Sequence, residues 1–333
     1  MNQMGLTKKL LHLMKIPQVY NKEWLQEQKV IEYIKSVIPT LKQDKTWNLY
    51  LINKNTPMIC AHMDTVWWPE AQKVLNNIRV VKPWEDTGRK NDKWQKTTNI
   101  LQSSIIVWDM NIWADDKCWL AIALELYEKL WNKISLLFTV WEEIGWVWIS
   151  WFDKKLFNDI NYVIIPDRKW GSDIIWVDND YCTQLFENKI YEFSKDYWYQ
   201  PAMWVWSDCD TISDHLNCVN MSCWYYNAHT DKEFVVINEF ENCYNAILNI
   251  VENFNERLEK PVKEFSRYSR MWWVYWYDYW YDYWNELEPI EMLDYDSVRV
   301  SWDLKLSWPN WEIINLKSWV YYILDEDVED ERD

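Results

Sequence analysis

Five places in this chain set side chains that bind metals or move protons behind runs of apolar residues. They are His62-Met63-Asp64, Asp115-Asp116, Glu142-Glu143, Asp167 and His229. His62 and Asp64 lie two apart at the end of an extended run, so both side chains fall on one side of it. Both can reach one site, or the aspartate can hold the imidazole from behind. Acids such as Asp115-Asp116 commonly open helices. Glu142-Glu143 instead closes the apolar run KISLLFTV, where structure alone has no use for paired carboxylates. One member of such a pair can ligate a metal while its neighbour takes a proton from bound water. Two imidazoles among carboxylates are a donor mixture that suits zinc, and a pair of zincs needs a bridging carboxylate. Calcium would ask for an all-oxygen loop. The chemistry these residues fit is hydrolysis by metal-activated water.

Each group must be delivered by an element. Helical spacing of apolar residues runs over 5–38, broken at Pro17 and stopped at Pro39. WNLYLI and PMICAH read as strands, the second reaching His62. The polar, basic segment 67–98 reads as a hairpin or mobile loop on the rim of the site. LQSSIIVW then returns to the sheet, and ADDKCWLAIALELYEKL forms a helix that opens on the paired aspartates. KISLLFTV is a buried strand by its unbroken apolar character, with a helix expected from about Ser150. INYVIIPD is a strand ending at Asp167, and DIIWVDNDYCTQLF reads as edge strands. SDCDTISDHLNCVNMSCW holds a short helix and a strand, His229 follows in a loop, and KEFVVINEFENCYNAILNIVENF is a closing helix. The pattern predicts an α/β fold: a mixed, mostly parallel central sheet with helices on both faces and carboxylates at its C-terminal edge.

That domain is expected over 1–256. A low-complexity Tyr/Trp-rich linker follows over 257–290, and 291–333 reads as a small β-rich or partly disordered acidic tail. With 49% hydrophobic and 26% charged residues the chain is globular over most of its length, and its net charge of -17 argues against nucleic acid or an anionic membrane as partner. Seven cysteines at irregular spacing suit reduced thiols in a cytoplasmic protein. Cys60 reads as a packed thiol, and His12 as an ordinary helix residue. No apolar run is long enough to span a bilayer, and GxGxxG, Walker A, GxSxG and HExxH motifs are absent.

The composition is abnormal in one respect: 29 tryptophans stand against 4 glycines, where glycine normally makes up about 7%. The tryptophans fall in KTWNLY, after HMDTV and through VWEEIGWVWISW, where tight turns are expected. Indoles give no access to positive φ, and glycine is what such turns use. The reading is that most of these positions are glycine in the living cell, as in an organism that reads UGA as glycine. The alternative is a genuinely tryptophan-rich protein.

The set HMDTV, WADDKCWLAIALEL, TVWEEIGWVW, IIPDRKW and YYNAHTDKEFV resembles the zinc exopeptidases of the aminopeptidase and carboxypeptidase superfamily, tripeptidase-like enzymes among them. Reading Trp as Gly sharpens each match, including DKTWNLY against that group's D-x-x-G-N. The resemblance covers about residues 5–256. It implies two Zn2+, with Co2+ or Mn2+ as substitutes. His62 and Asp167 would hold one ion, Glu143 and His229 the other, and Asp115 would bridge. It further implies Asp64 orienting His62, and Glu142 as general base, taking a proton from water and passing it to the leaving amine. The substrate would be a small peptide cleaved at its N-terminus, and a homo-oligomer is compatible. The spans from His62 to Asp115 and from Asp167 to His229 are too short for the extra domains some members carry, so the pocket for a free α-amine or carboxylate would be either missing or rebuilt from 67–98 and 168–206. Two alternatives stand beside this reading: an N-acyl amino acid deacylase, and a metal-free scaffold on the same fold.

Overall fold

The computed structural model describes residues 5–16, 27–66, 77–90, 96–108, 111–143, 149, 152–169, 171, 173–175, 181–202 and 207–260, with short strands at 305–307, 313–315 and 323–325. The chain begins with helices α1 (Leu6–Met14) and α2 (Gln28–Val37), then strands β1 (Lys42–Gln43), β2 (Leu49–Leu51) and β3 (Thr56–His62). Strands β4 (Arg79–Val81), β5 (Asp86–Lys90), β6 (Lys96–Asn99) and β7 (Ile105–Val107) precede helix α3 (Ala114–Leu130). Next come β8 (Ser135–Thr139), β9 (Ile160–Arg168), β10 (Asp173–Ile175), helix α4 (Gln184–Ser194), β11 (Gln200–Ala202) and α5 (Cys209–Ile212). Strands β12 (Cys218–Ser222), β13 (Tyr225–Tyr226) and β14 (Phe234–Val236) lead into α6 (Ile237–Asn253). Strands β15 (Lys305–Ser307), β16 (Ile313–Asn315) and β17 (Ile323–Asp325) follow.

The main sheet has eight strands in the order β1-β2-β8-β3-β9-β12-β10-β11. Its centre, β8-β3-β9-β12, is parallel throughout, and antiparallel pairs enter at β1/β2, β2/β8 and β12/β10. Every residue of β3 and β8 is buried, as expected for strands covered on both faces. Met58 and Cys60 of β3 pack with Leu137, Val163, Ile165, Cys209 and Ile212 on the α5 side. Helix α3 lies against β3 and β9 on the other. Its apolar residues run all round it and nearly all are buried, the signature of a central helix. α1 packs on α3, where Lys9 pairs with Glu125 and, at 2.9 Å, with Glu128.

Four sequence expectations change. The closing helix read from Lys232 begins only at Ile237, because Phe234–Val236 form β14 and pair with β7 and β13. β7 joins β13, β14 and β4 in a separate four-stranded sheet instead of the main one; a three-residue apolar strand carries nothing that names its partner. Among the described residues of the segment read as edge strands over 173–186, only β10 is strand, and it sits inside the sheet between β12 and β11. Thr183 then caps α4 through its hydroxyl, 3.3 Å from the Phe186 N–H, and Phe186 and Ile190 face the core. Past Ser150 the described residues hold a 3-10 turn, Lys154–Asp159, capped by Asp153. The rim segment contains the expected hairpin, β5/β6, with β17 added antiparallel to β6.

Ten non-glycine residues among those described take positive φ, and seven are tryptophans: Trp47, Trp84, Trp113, Trp131, Trp141, Trp198 and Trp224. Asn55, Asn227 and His229 are types that tolerate this region; a bulky indole is not. Buried Trp113 and Trp224 also leave their indole N–H without an acceptor. These are positions built for glycine.

The chain divides into two units, Met1–Pro261 with Ile323–Asp333, and Val262–Tyr322. In the second, β15 and β16 form an antiparallel pair; the expected linker lies outside the described residues from 261 on. All seven cysteines are free and buried. Among the described residues no helix is long and apolar enough to cross a membrane.

Candidate metal centre

Three parallel strands, β8, β3 and β9, lie side by side, and residues at or just after their ends converge on one site. His62 is the last residue of β3 and pairs with Thr139 of β8. Glu142 and Glu143 follow β8 through Trp141, whose φ of 64° turns the chain back. Asp167 is near the end of β9. Asp115 enters from the start of α3, just after Trp113 in the left-handed region. Its backbone and that of Asp116 are non-helical, and the peptide between them is cis. His229, also left-handed, lies between β13 and β14.

Asp115 stands at the middle. Its Oδ1 is 3.2 Å from Nε2 of His62, and its Oδ2 is 3.1 Å from Nε2 of His229. Asp167 Oδ1 lies 3.5 Å from the same His62 nitrogen. Glu143 Oε1 lies 3.3 Å from the His229 nitrogen, without making a hydrogen bond. The two groups, His62–Asp115–Asp167 and Asp115–Glu143–His229, each gather one donor atom per residue within 4.8 Å. A tetrahedral zinc with bonds of about 2.0–2.1 Å holds neighbouring donors about 3.3 Å apart. The imidazole–carboxylate spacings of 3.1–3.5 Å fit that requirement at both groups.

Asp64 does more than touch His62. The His62 Nδ1–H donates to the Asp64 backbone carbonyl at 3.1 Å, with the carboxylate 3.4 Å away. The carboxylate itself accepts the backbone N–H groups of Glu142 and Glu143 at 3.0 and 2.9 Å. One aspartate therefore ties the β3 end to the loop that carries both glutamates. Asp116 turns to helix capping: its Oδ1 accepts the Trp119 N–H at 3.3 Å.

Electrostatics follow from seven titratable groups packed together, with His229 exposed and the other six buried or half-buried. Burial pushes the carboxyls of Glu142 and Glu143 up, helped by Asp167 at the first and Asp115 at the second. Asp167 is raised to about 7 by burial, with Asp115 and Glu143 adding to it. Burial works against protonation of the imidazoles, but Asp115 and Glu143 outweigh it and raise His229 to about 11. Asp115, Asp167 and Asp64 do the same for His62. Asp115 is lowered against its own burial by the two imidazoles. Cys60 is buried with its thiol pushed well up, the behaviour of a packed thiol rather than a nucleophile.

No protein-family model and no curated protein sequence matches the chain. Solved structures do. Aminopeptidase PepT from Bacillus cereus ATCC 10987 superposes with a TM-score of 0.54 at 14% identity, over 74% of this chain and 97% of that one. The chain thus shares its α/β fold with this aminopeptidase. A tripeptidase from Staphylococcus aureus gives 0.54 at 13% identity, covering 74% and 97%. The TET1 peptidase of Pyrococcus horikoshii gives 0.53 at 12%, covering 75% and 100%. At these identities the likeness is one of fold.

Several supporting residues around the candidate centre escaped the sequence reading. Asp208 accepts the Thr139 hydroxyl at 2.7 Å beneath the His62 end of the sheet, and burial raises its carboxyl to about 6. Asn48 Oδ1 accepts the Val140 N–H at 3.2 Å, and Asp44 holds Asn48 and Thr46 in turn; the D-x-x-G-N likeness pointed there without giving a role. Glu233 accepts backbone N–H groups of the loop that carries Asp115. Its place four residues after His229 in HTDKE carried no signal by itself.

Proposed function

We propose that this chain is a two-zinc exopeptidase that removes residues from the N-terminus of small peptides. One observation carries the reading: the two oxygens of Asp115 face two different imidazoles, each beside a further carboxylate, at the separation that neighbouring zinc ligands need. His62, Asp167 and Asp115 would hold one ion, and His229, Glu143 and Asp115 the other. Co2+ or Mn2+ would suit the same nitrogen and oxygen donors. Bound there, the ions would supply Lewis acidity and a water acidified toward neutral pH.

The chain's own residues supply the rest. Glu142 neighbours the site but belongs to neither donor group. Burial and Asp167 raise its carboxyl, which brings it toward the range where a base works near neutrality. It would take the proton of the attacking water and return it to the leaving amine. Asp64 would keep Glu142 and Glu143 in register through their backbones. Crowding of like charges at Glu142, Glu143 and Asp167 costs stability until cations neutralise it, so the same repulsion favours metal uptake. The seven free thiols suit a cytoplasmic protein, the net charge of -17 disfavours nucleic acid, and assembly of TET1 into a tetrahedron or octahedral shell makes a homo-oligomer a reasonable state to measure.

Metal analysis and turnover test the reading together. The purified chain should carry close to two zincs and should cleave aminoacyl-p-nitroanilides. Preference for N-acetyl amino acids would favour a deacylase, and absence of zinc a scaffold. Glu142→Gln should keep zinc and fold while turnover falls by about 10²–10⁴-fold. Wild-type turnover in that variant would remove Glu142 from the mechanism.

A further inference from the structure

We propose that Glu233 is the positioning residue for the Asp115 bridge, so that the segment from His229 to Glu233 grips Asp115 at both its side chain and its backbone. The proposal rests on the two-zinc reading above and goes beyond its ligand set.

The loop before α3 has a supply problem. Asp115 and Asp116 are non-helical, and N–H groups at a helix start have no helix carbonyl to bond. The loop is buried as well: Asn111, Ile112 and Ala114 show no exposure, so water cannot serve them, and an unmade bond there is costly. Asn111 Oδ1 accepts the Trp113 N–H at 2.7 Å. Glu233 takes the remainder: its Oε2 accepts the N–H groups of Ile112 and Ala114, both at 3.1 Å, and its Oε1 faces that of Asp115 at 3.4 Å. One fully buried carboxylate thus reaches three backbone donors in four residues.

Glu233 is itself held in place. Arg89 of the rim hairpin donates to the carbonyls of Glu233 at 2.7 Å, Lys232 at 2.9 Å and Trp108 at 2.6 Å. That guanidinium pins the strand entering the loop to the segment that receives it. Asn111 Nδ2 donates to the Thr230 carbonyl at 3.1 Å. Four residues before Glu233, the His229 ring meets Asp115 Oδ2. A carboxylate shared between two ions needs its torsion set before they arrive, because each ion alone would pull it toward itself. Fixing the Asp115 main chain from the His229 segment does this for both halves at once, the service outer residues give to metal ligands elsewhere.

The test compares the full-length wild type with E233A, E233Q and Y162F by zinc competition against a chromophoric chelator, melting of the zinc-free chain, and peptide hydrolysis at saturating zinc. Tyr162 makes a buried 2.7 Å bond to the Phe254 carbonyl, outside the donor groups, and serves as the control for general weakening. E233A should bind zinc about ten- to a hundredfold more weakly. E233Q, which keeps one carbonyl oxygen for Ile112 and Ala114, should fall between and remains informative if E233A fails to fold. With zinc saturating, kcat should stay reduced while KM changes little. Y162F should melt lower yet hold zinc as the wild type does. E233A and E233Q with wild-type zinc affinity would overturn the proposal, as would parallel loss of affinity in Y162F. A wild-type chain that takes up no zinc would overturn the two-zinc reading itself, a different result from variants that match a zinc-binding wild type.

Discussion

Asp115 couples the two halves of the centre because its oxygens are divided between them. Loss of His229 and loss of Asp115 should therefore differ in kind. His229→Ala leaves the His62, Asp115 and Asp167 donors intact and should retain about one zinc, whereas Asp115→Ala removes a donor from both groups and should retain close to none. Native mass spectrometry after zinc loading reads the difference directly, and equal retention in the two variants would contradict a shared carboxylate. At this scale the sequence announced the acids and imidazoles because they sit where buried strands run out. It did not announce Glu233, Asp208 or Arg89, whose neighbours come from distant segments. A lone glutamate in HTDKE looks like any solvated acid until the Asp115 loop is folded against it.

Elements in this chain repeatedly end on tryptophan. Trp131 follows α3 with φ 47°, Trp198 follows the turn after α4 with φ 66°, and Trp47 makes the bend between β1 and β2 with φ 73°. A left-handed residue after a helix is most often glycine. Trp47 and Trp198 are 43% and 54% exposed, so their replacement forfeits little packing. Trp47→Gly and Trp198→Gly should each raise stability by about 1 kcal/mol, the relief of a left-handed non-glycine residue less the added freedom of the unfolded chain. Urea titrations would register this, and unchanged or lower stability would count against glycine at these sites. Peptide mass spectrometry of protein from its native source should find glycine at 47, 113, 141 and 224.

The helices show how far periodicity reaches. α1 and α3 fall where their apolar spacing put them, the second opening on its paired acids as expected. α4 was hidden because DIIWV starts like a strand, and the first helix signal is Thr183, whose capping role depends on reading Phe186 and Ile190 as one face. The placement of β7 in a second sheet could not be read at all, since strand partners are chosen by tertiary packing and not by the three residues involved.

Across the whole molecule, buried acids outside the centre make stability fall as pH rises. Glu239 in α6 is raised by burial from its usual 4.5 to about 8, although the Tyr226 hydroxyl, 2.9 Å away, partly opposes this. Between about 4.5 and about 8 the unfolded carboxyl has lost its proton and the folded one keeps it. The native state then binds more protons, and stability declines through that window and levels off above it. Glu239→Gln keeps an oxygen for Tyr226 and should flatten the decline, seen as a smaller difference between melts at pH 5 and pH 8. An identical pH slope in the variant would show that this carboxyl ionises as freely in the native state as in the unfolded one.

The return of the chain to β6 has its own outcome. Because β17 closes the outer side of the β5/β6 hairpin, residues 323–325 work as a selvedge stitched along cloth that would otherwise fray. A protein cut back to residue 261 would keep every group named in the metal centre. It would also bare the peptide dipoles of β6, a row that recruits whatever extended segment passes, including another molecule's.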